Sequence, residues 1–160
     1  MELAQGCALS AASLAALTDV SSRRIPNWLT LGTFVLGVLL NTWLRDVDGA
    51  ASSLSGAILG IGLLLPFYAL GGMGAGDVKL VGALGAVLGP QALVSVGVYG
   101  AVVGGAMSLF ILYRNGRIKV ALADLLALRR TSGTSGATAP YGVAIAAGVA
   151  LSLVLPALVG

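Results

Sequence analysis

The sequence predicts an all-α, polytopic membrane protein, because apolar residues dominate it and form long runs between short polar turns. Of its 160 residues, 58% are hydrophobic and only 9% are charged, whereas a soluble domain has roughly 25% charged residues. Mean hydropathy is +0.99. The length allows one domain, and several runs approach the ~20 apolar residues that a helix needs to cross a bilayer.

Composition also excludes several classes of protein. The chain has no histidine and one cysteine, Cys7. Disulfide frameworks, a two-histidine zinc site and Ser-His or Cys-His catalysis are therefore excluded. A net charge of +3 is too small and too scattered to indicate nucleic-acid binding. We expect no metal and no cofactor, and an enzyme with this composition would have to rely on carboxylates.

The first apolar run, 3–18, is interrupted only by Gln5 and serines. A cleaved signal peptide is the alternative reading, but no basic residue precedes the run and Glu2 stands where a lysine is expected. We therefore predict an uncleaved first helix. Pro26 suits the first turn of a second helix, which a short polar turn at 45–49 separates from the third.

A glycine-rich segment, 71–80, follows the third helix and is predicted to be a loop, because glycine disfavours a lipid-exposed helix. The fourth apolar run, 78–89, is too short to cross a ~30 Å hydrocarbon core at 1.5 Å per residue. If this fourth run reaches the far membrane interface, Asp77 at its start must lie below the near membrane interface. A carboxylate at that depth requires a wet cavity lined by protein.

Residues 114–130 are rich in basic side chains, and apolar residues recur among them at helical spacing. This pattern predicts an amphipathic helix lying in the cytoplasmic interface. A linker at 131–137 precedes a last helix. The chain is thus predicted to be one transmembrane domain, 1–160, with six spans at 3–18, 28–44, 51–70, 78–89, 91–113 and 138–158.

Six spans place both termini on one side, and the basic residues orient the protein. By the positive-inside rule the side richer in lysine and arginine is cytoplasmic, which puts the termini outside. The opposite side has Arg45 alone. The cytoplasmic side has eight basic residues: Arg23, Arg24, Lys79, Arg114, Arg117, Lys119, Arg129 and Arg130.

Two carboxylates fall on this cytoplasmic side at similar depth. Asp19 ends the first helix and Asp77 begins the fourth, so the two can face each other. Such a pair supports hydrolysis through an activated water, because two close carboxylates cannot both ionise cheaply and one retains a proton. The structural alternatives are that Asp77 is a helix N-cap and that Asp19 pairs with Arg23.

Other residues have both a structural and a functional interpretation. Gly74 and Gly76 would let an extended substrate approach the backbone beside Asp77. Pro140 suits a helix start and Tyr141 an interfacial aromatic, as alternatives to roles in a site. The glycine pairs Gly56/Gly60 and Gly100/Gly104 are typical of close helix packing.

The segment Gly74-Ala75-Gly76-Asp77-Val78-Lys79-Leu80 resembles the GxGD motif of aspartic membrane proteases, in the G-x-G-D-x-K-L form of type IV prepilin peptidases. Asp19, followed by Arg24-Ile25-Pro26-Asn27, resembles that family's first catalytic aspartate and its I-P-N element. Pro140-Tyr141-Gly142 is similar to the proline-glycine element that starts the family's last helix.

The resemblance implies an endopeptidase of the bacterial inner membrane. Its partners would be the lipid bilayer and a prepilin or pseudopilin substrate, whose basic leader it removes at the cytoplasmic face. Asp19 and Asp77 would be the catalytic dyad, and Gly74, Gly76, Lys79, Pro140, Tyr141 and Gly142 would shape the site or bind substrate.

Longer members of this family have an N-terminal cytoplasmic domain with paired cysteines, and this sequence shows none. It therefore resembles the short branch associated with Flp or tight-adherence pili. N-methylation of the product, a second activity of the long members, is not carried over from the resemblance. Two other functions remain open: a small proton-coupled transporter, in which the aspartates relay protons, and a non-catalytic subunit of pilus assembly. Lipoprotein signal peptidases also use two aspartates, but no further motif matches them.

Overall fold

The computed structural model describes residues 2–71, 73–116 and 141–155. Its helices are α1 (Glu2–Ser22), α2 (Asn27–Ala69), α3 (Ala75–Arg114) and α4 (Tyr141–Val154). The predicted all-α class is confirmed. Helices α1, α2 and α3 are each long and apolar enough to cross a membrane, and α4 is a shorter apolar helix. Most of the predicted interfacial helix, the linker that follows it and Pro140 lie outside the described residues.

Helix α1 continues to Ser22, so Asp19 lies in its last turn. The backbone amide of Arg23 donates to the carbonyl of Asp19 at 2.8 Å. Arg23 itself has a φ of 50°. A left-handed residue after the last turn ends a helix by redirecting the chain, and here it leads into the short connection 23–26.

Helix α2 folds back on itself at Arg45 and Asp46, whose backbone angles are not helical. Nδ2 of Asn41 lies 3.0 Å from Oγ of Ser53. In a straight helix twelve residues would separate them by about 18 Å. The predicted turn at 45–49 is therefore a reversal between two antiparallel segments, 27–44 and 47–69.

Helix α3 reverses at Gly89, which has a φ of 79°. L side chains rarely adopt this conformation, and Pro90 lacks the amide that would continue the helical hydrogen bonding. The segment 75–88 thus ends at Gly89. The remainder of α3 returns along α4, where a Cβ on Gly104 would lie 3.2 Å from Cβ of Ala144.

The glycine-rich segment is a shorter loop than predicted. Helix α3 already begins at Ala75, so the prediction of a loop was wrong for residues 75–77, whereas residues 78–80 are helical as the predicted span 78–89 requires. Gly71 is the residue of this segment with a positive φ, 78°. Gly74 is the N-cap, with an extended backbone, and Gly76 lies inside the first turn.

The segment 75–88 lies at the centre of the bundle. Leu80 and Leu84 are fully buried and belong to a core that alanines of α1 and apolar residues of α4 complete. Gly56 on α2 faces Gly85 so closely that a Cβ on either would collide with the other's backbone. The packing role predicted for Gly56 is thereby confirmed.

Asn41 caps the buried end of this central segment. It is 8% exposed, and its Nδ2 lies 3.0 Å from the carbonyl oxygens of both Ala86 and Val87. The last carbonyls of a helix have no partner within the helix. The amide of Asn41 therefore supplies donors where neither water nor further helix does so.

We expect Asn41→Leu to lower the stability of the protein by about 1–3 kcal/mol, because buried carbonyls would lose their donor. The measurement is the thermal midpoint in detergent. Thr42→Ala is the matched control, since the exposed Thr42 bonds only within its own helix, to the carbonyl of Val38 at 2.7 Å. Equal midpoints for the two variants would contradict the capping role.

Candidate active site

Asp19 is held by the backbone of the last helix. Its Oδ2 accepts a hydrogen bond of 2.9 Å from the amide of Gly142, in the first turn of α4. The amides of a first helical turn have no partner within the helix, and they favour a carboxylate. No ion pair joins Asp19 to Arg23 in the described part of the chain, so the alternative of such a pair is not what the structure shows.

Asp77 is buried, with 8% of its surface exposed. It is the third residue of α3, and its Oδ2 accepts a hydrogen bond of 3.2 Å from the amide of Gly74. The interpretation of Asp77 as an N-cap is therefore wrong, because Gly74 occupies that position. The carboxylate instead bonds back to the N-cap amide, which fixes its direction at the start of the helix.

The two carboxyl groups belong to elements that pack against each other, because the connection after Asp19 contacts the start of α3 through Ile25 and Gly76. Each uses Oδ2 for a backbone amide, and no described hydrogen bond reaches either Oδ1. Hydrolysis by two carboxyl groups needs an oxygen of each within reach of one water molecule.

The connection between α1 and α2 packs against the start of α3. A Cβ on Gly76 would lie 3.2 Å from Cβ of Ile25, so Gly76 allows this connection to approach closely. Nζ of Lys79 donates to Oδ1 of Asn27 at 3.1 Å. These two contacts bring the connection after Asp19 beside the helix turn that bears Asp77.

The predicted site residues do not all meet at the carboxyl pair. Gly74 and Gly142 contact the two aspartates directly, whereas Gly76 contacts Ile25. Lys79 is exposed and lies about 200° around the helix from Asp77, at 100° per residue. Tyr141 is half-buried at the start of α4, and Pro140 is outside the described residues.

Reasoning from the sequence assigned no role to Ile25 or Asn27. Both belong to the Arg24-Ile25-Pro26-Asn27 element that follows Asp19, and this element was the available signal. Among the described residues no three acidic or cysteine side chains come together as a metal would need. Backbone amides hold the two carboxyl groups of the site.

We expect Gly142→Ala to reduce activity on the order of 10- to 100-fold, because small misplacements of a catalytic group have effects of this size. The added Cβ would lie 3.0 Å from both Cβ and Oδ2 of Asp19 and would displace the carboxylate. Peptide cleavage and the thermal midpoint are measured together.

Gly148→Ala, on the same helix, is the control for packing alone. A Cβ there would lie 2.7 Å from the carbonyl oxygen of Val96, away from Asp19. This variant should have a lower thermal midpoint, and its peptide cleavage should fall only in proportion to that loss of stability. If Gly142→Ala lost stability and activity in the same proportion, its specific effect on Asp19 would be refuted.

Comparison with known proteins agrees with this geometry. The sequence profile of the type IV leader peptidase family matches residues 7–109, a range that includes both aspartates and covers more than half of the chain. No curated protein and no solved structure matches the chain. The chain therefore belongs to the type IV leader peptidase family and is an aspartic prepilin peptidase of the membrane.

Proposed function

We propose that Asp19 and Asp77 are the catalytic dyad with which this protein removes the basic leader peptide from prepilin-like substrates at the cytoplasmic face of the inner membrane. The observation that carries the proposal is the arrangement of the two carboxyl groups. Each is anchored through its Oδ2 by a backbone amide, and the connection after Asp19 packs against the turn that bears Asp77 through Ile25 and Gly76. Gly74 and Gly142 act here as positioning residues.

The reaction needs one ionised and one protonated carboxyl group. The ionised carboxylate takes a proton from water as the water oxygen attacks the scissile carbonyl carbon, and the protonated group gives its proton to the carbonyl oxygen. Collapse of the resulting diol breaks the C–N bond, and a proton goes to the leaving amine. The mature protein and the leader are thereby released, and the dyad returns to its starting protonation after proton exchange.

We also propose that the helical segments cross the membrane six times. The reversals at Arg45 and Gly89 support this, because each divides a long helix into two antiparallel segments. The segment 75–88 is about 21 Å long, less than the ~30 Å of a hydrocarbon core. Its first turn, which bears Asp77, would then lie below the membrane surface, in contact with water through the site.

The orientation follows from charge. Arg23, Arg24, Lys79 and Arg114 are exposed at the end of the bundle that contains the carboxyl pair, whereas Arg45 is exposed at the opposite end. By the positive-inside rule the end with the carboxyl pair faces the cytoplasm and both termini are outside. Processing of prepilins of Flp or tight-adherence pili stays a prediction that rests on the resemblance alone.

Asp19→Asn and Asp77→Asn should each reduce cleavage of a leader-bearing prepilin about 10²- to 10⁴-fold, because an amide can neither take a proton from water nor act as an acid. Cleavage is read by mass after reconstitution with the substrate. Asp48→Asn is the control, as Asp48 is exposed near the reversal of α2.

Helix content and membrane insertion should be unchanged in all three variants. Substantial cleavage by either dyad variant would remove the two-carboxylate mechanism. Loss of cleavage in Asp48→Asn to the same extent would mean that the assay responds to any change of charge.

Reporter fusions test the orientation. Fusions after Gly49 and after Gly160 should report the outside, and a fusion near Ser135 should report the cytoplasm, because basic residues remain on the cytoplasmic side. An alkaline phosphatase and a fluorescent-protein reporter give opposite readouts at each position. An external Ser135 would contradict the proposed cytoplasmic site.

A further inference from the structure

An apolar groove of about 390 Å³ opens beside the start of α3, on the helix face away from Asp77. Its walls include Trp28, Leu31 and Phe34 of the first α2 segment, and Ile61 of the second. Trp28 is 71% exposed and Leu31 is 64% exposed. The groove is therefore accessible from the surroundings of the bundle, which for this protein are lipid.

Beyond the groove, α2 and α3 pack closely through glycine. A Cβ on Gly37, three residues after Phe34, would lie 2.8 Å from the backbone of Ala86 and Val87. The groove itself is lined mostly by apolar side chains, which suits a hydrocarbon chain.

One end of the groove is positively charged, and none of the described residues that line the groove is acidic. Lys79 and Asn27 both line it, and the described partner of the Lys79 ammonium is the neutral amide oxygen of Asn27. Helix α2 begins here, and its N-cap, Pro26, makes no side-chain capping bond. A helix N-terminus has a partial positive charge, so an ammonium beside it is unfavourable unless an anion lies between them.

We propose that this groove binds one anionic phospholipid. Its phosphate would lie between Lys79 and the amides of Asn27 and Trp28 at the start of α2. The next two amides, those of Leu29 and Thr30, donate to the carbonyl of Pro26. One acyl chain would run along Leu31, Phe34 and Ile61. Trp28 stands at the rim, and tryptophan is enriched at the headgroup level of membranes. A phosphate is an anion that both Lys79 and the start of α2 attract.

The bound lipid would stabilise the contact between the connection 23–26 and the helix turn that bears Asp77. Lys79 lies two residues after Asp77, and Asn27 directly follows that connection. Because the phosphate would hold both, the lipid stabilises the start of α3. The inference does not depend on which residues catalyse cleavage, since it concerns the opposite face of α3.

The two tryptophans of the chain provide the test. Trp43→Phe leaves Trp28 as the reporter at the groove, and Trp28→Phe leaves Trp43, which is 87% exposed near the other end of α2. Each variant is reconstituted in phosphatidylcholine vesicles with the same low fraction of acyl-brominated phosphatidylglycerol or brominated phosphatidylcholine. Bromine quenches tryptophan fluorescence on contact.

Brominated phosphatidylglycerol should quench Trp28 about two- to fivefold more effectively than brominated phosphatidylcholine, because basic side chains at the surface attract anionic lipids. Trp43 should respond equally to both. Added to Trp43→Phe, Lys79→Gln should abolish the difference and Lys79→Arg should retain it. Arg114→Gln is the matched control, as it removes an exposed cation at the same end of the bundle outside the groove, and it should leave the difference unchanged.

Equal quenching of Trp28 by the two lipids would overturn the proposal, and so would a difference that survives Lys79→Gln. A difference that Arg114→Gln abolishes as well would indicate diffuse attraction to a basic surface, without a site. Protection of Trp28 from both lipids would place protein in the groove, either a second copy or a substrate segment, and would refute the lipid. Cleavage assays on the dyad variants are independent of every one of these outcomes.

Discussion

The structure depends on how its short central segment ends. The segment 75–88 ends at Gly89, and its last carbonyls are buried among other helices. Unpaired backbone groups are costly in an apolar environment. Asn41 removes this cost by donating to the carbonyls of Ala86 and Val87. The central segment can therefore end within the bundle, and its opposite end bears Asp77.

Close packing around this segment follows from small residues. Glycines on α2 and alanines on α1 allow backbones to approach the central helix, which is how helices associate where lipid gives no hydrophobic driving force. The site and the groove both adjoin the start of the central segment, on opposite faces of the same helix.

Backbone amides, not cations, hold the two carboxyl groups. The amide of Gly142 donates to Asp19 and that of Gly74 donates to Asp77. The direction of each carboxyl group is therefore set by the start of a helix and not by a mobile side chain. A lysine or arginine in the same place would stabilise both carboxylates in their charged form and remove the shared proton that hydrolysis needs. Glycine at both positions also leaves space for the carboxyl groups themselves.

The sequence by itself determined the all-α membrane class and the reversals near Arg45 and Gly89. These follow from hydropathy and helix length, which are properties of local sequence. The pairing of Asp19 with Asp77 stays a prediction. The sequence misjudged residues 75–77 as loop, because glycine weakens a helix when considered alone. In the folded protein the bond from Gly74 to Asp77 and the contact of Gly76 with Ile25 outweigh that preference.

Only the tertiary structure decided which groups hold the site. Gly142 is 123 positions from Asp19, and Lys79 is 52 positions from Asn27, so no periodicity in the chain relates the members of either pair. The same is true of Asn41 and the carbonyls it caps. Hydrogen bonds of about 3 Å depend on how helices are rotated and shifted against one another. Many small side chains jointly determine that rotation through their packing.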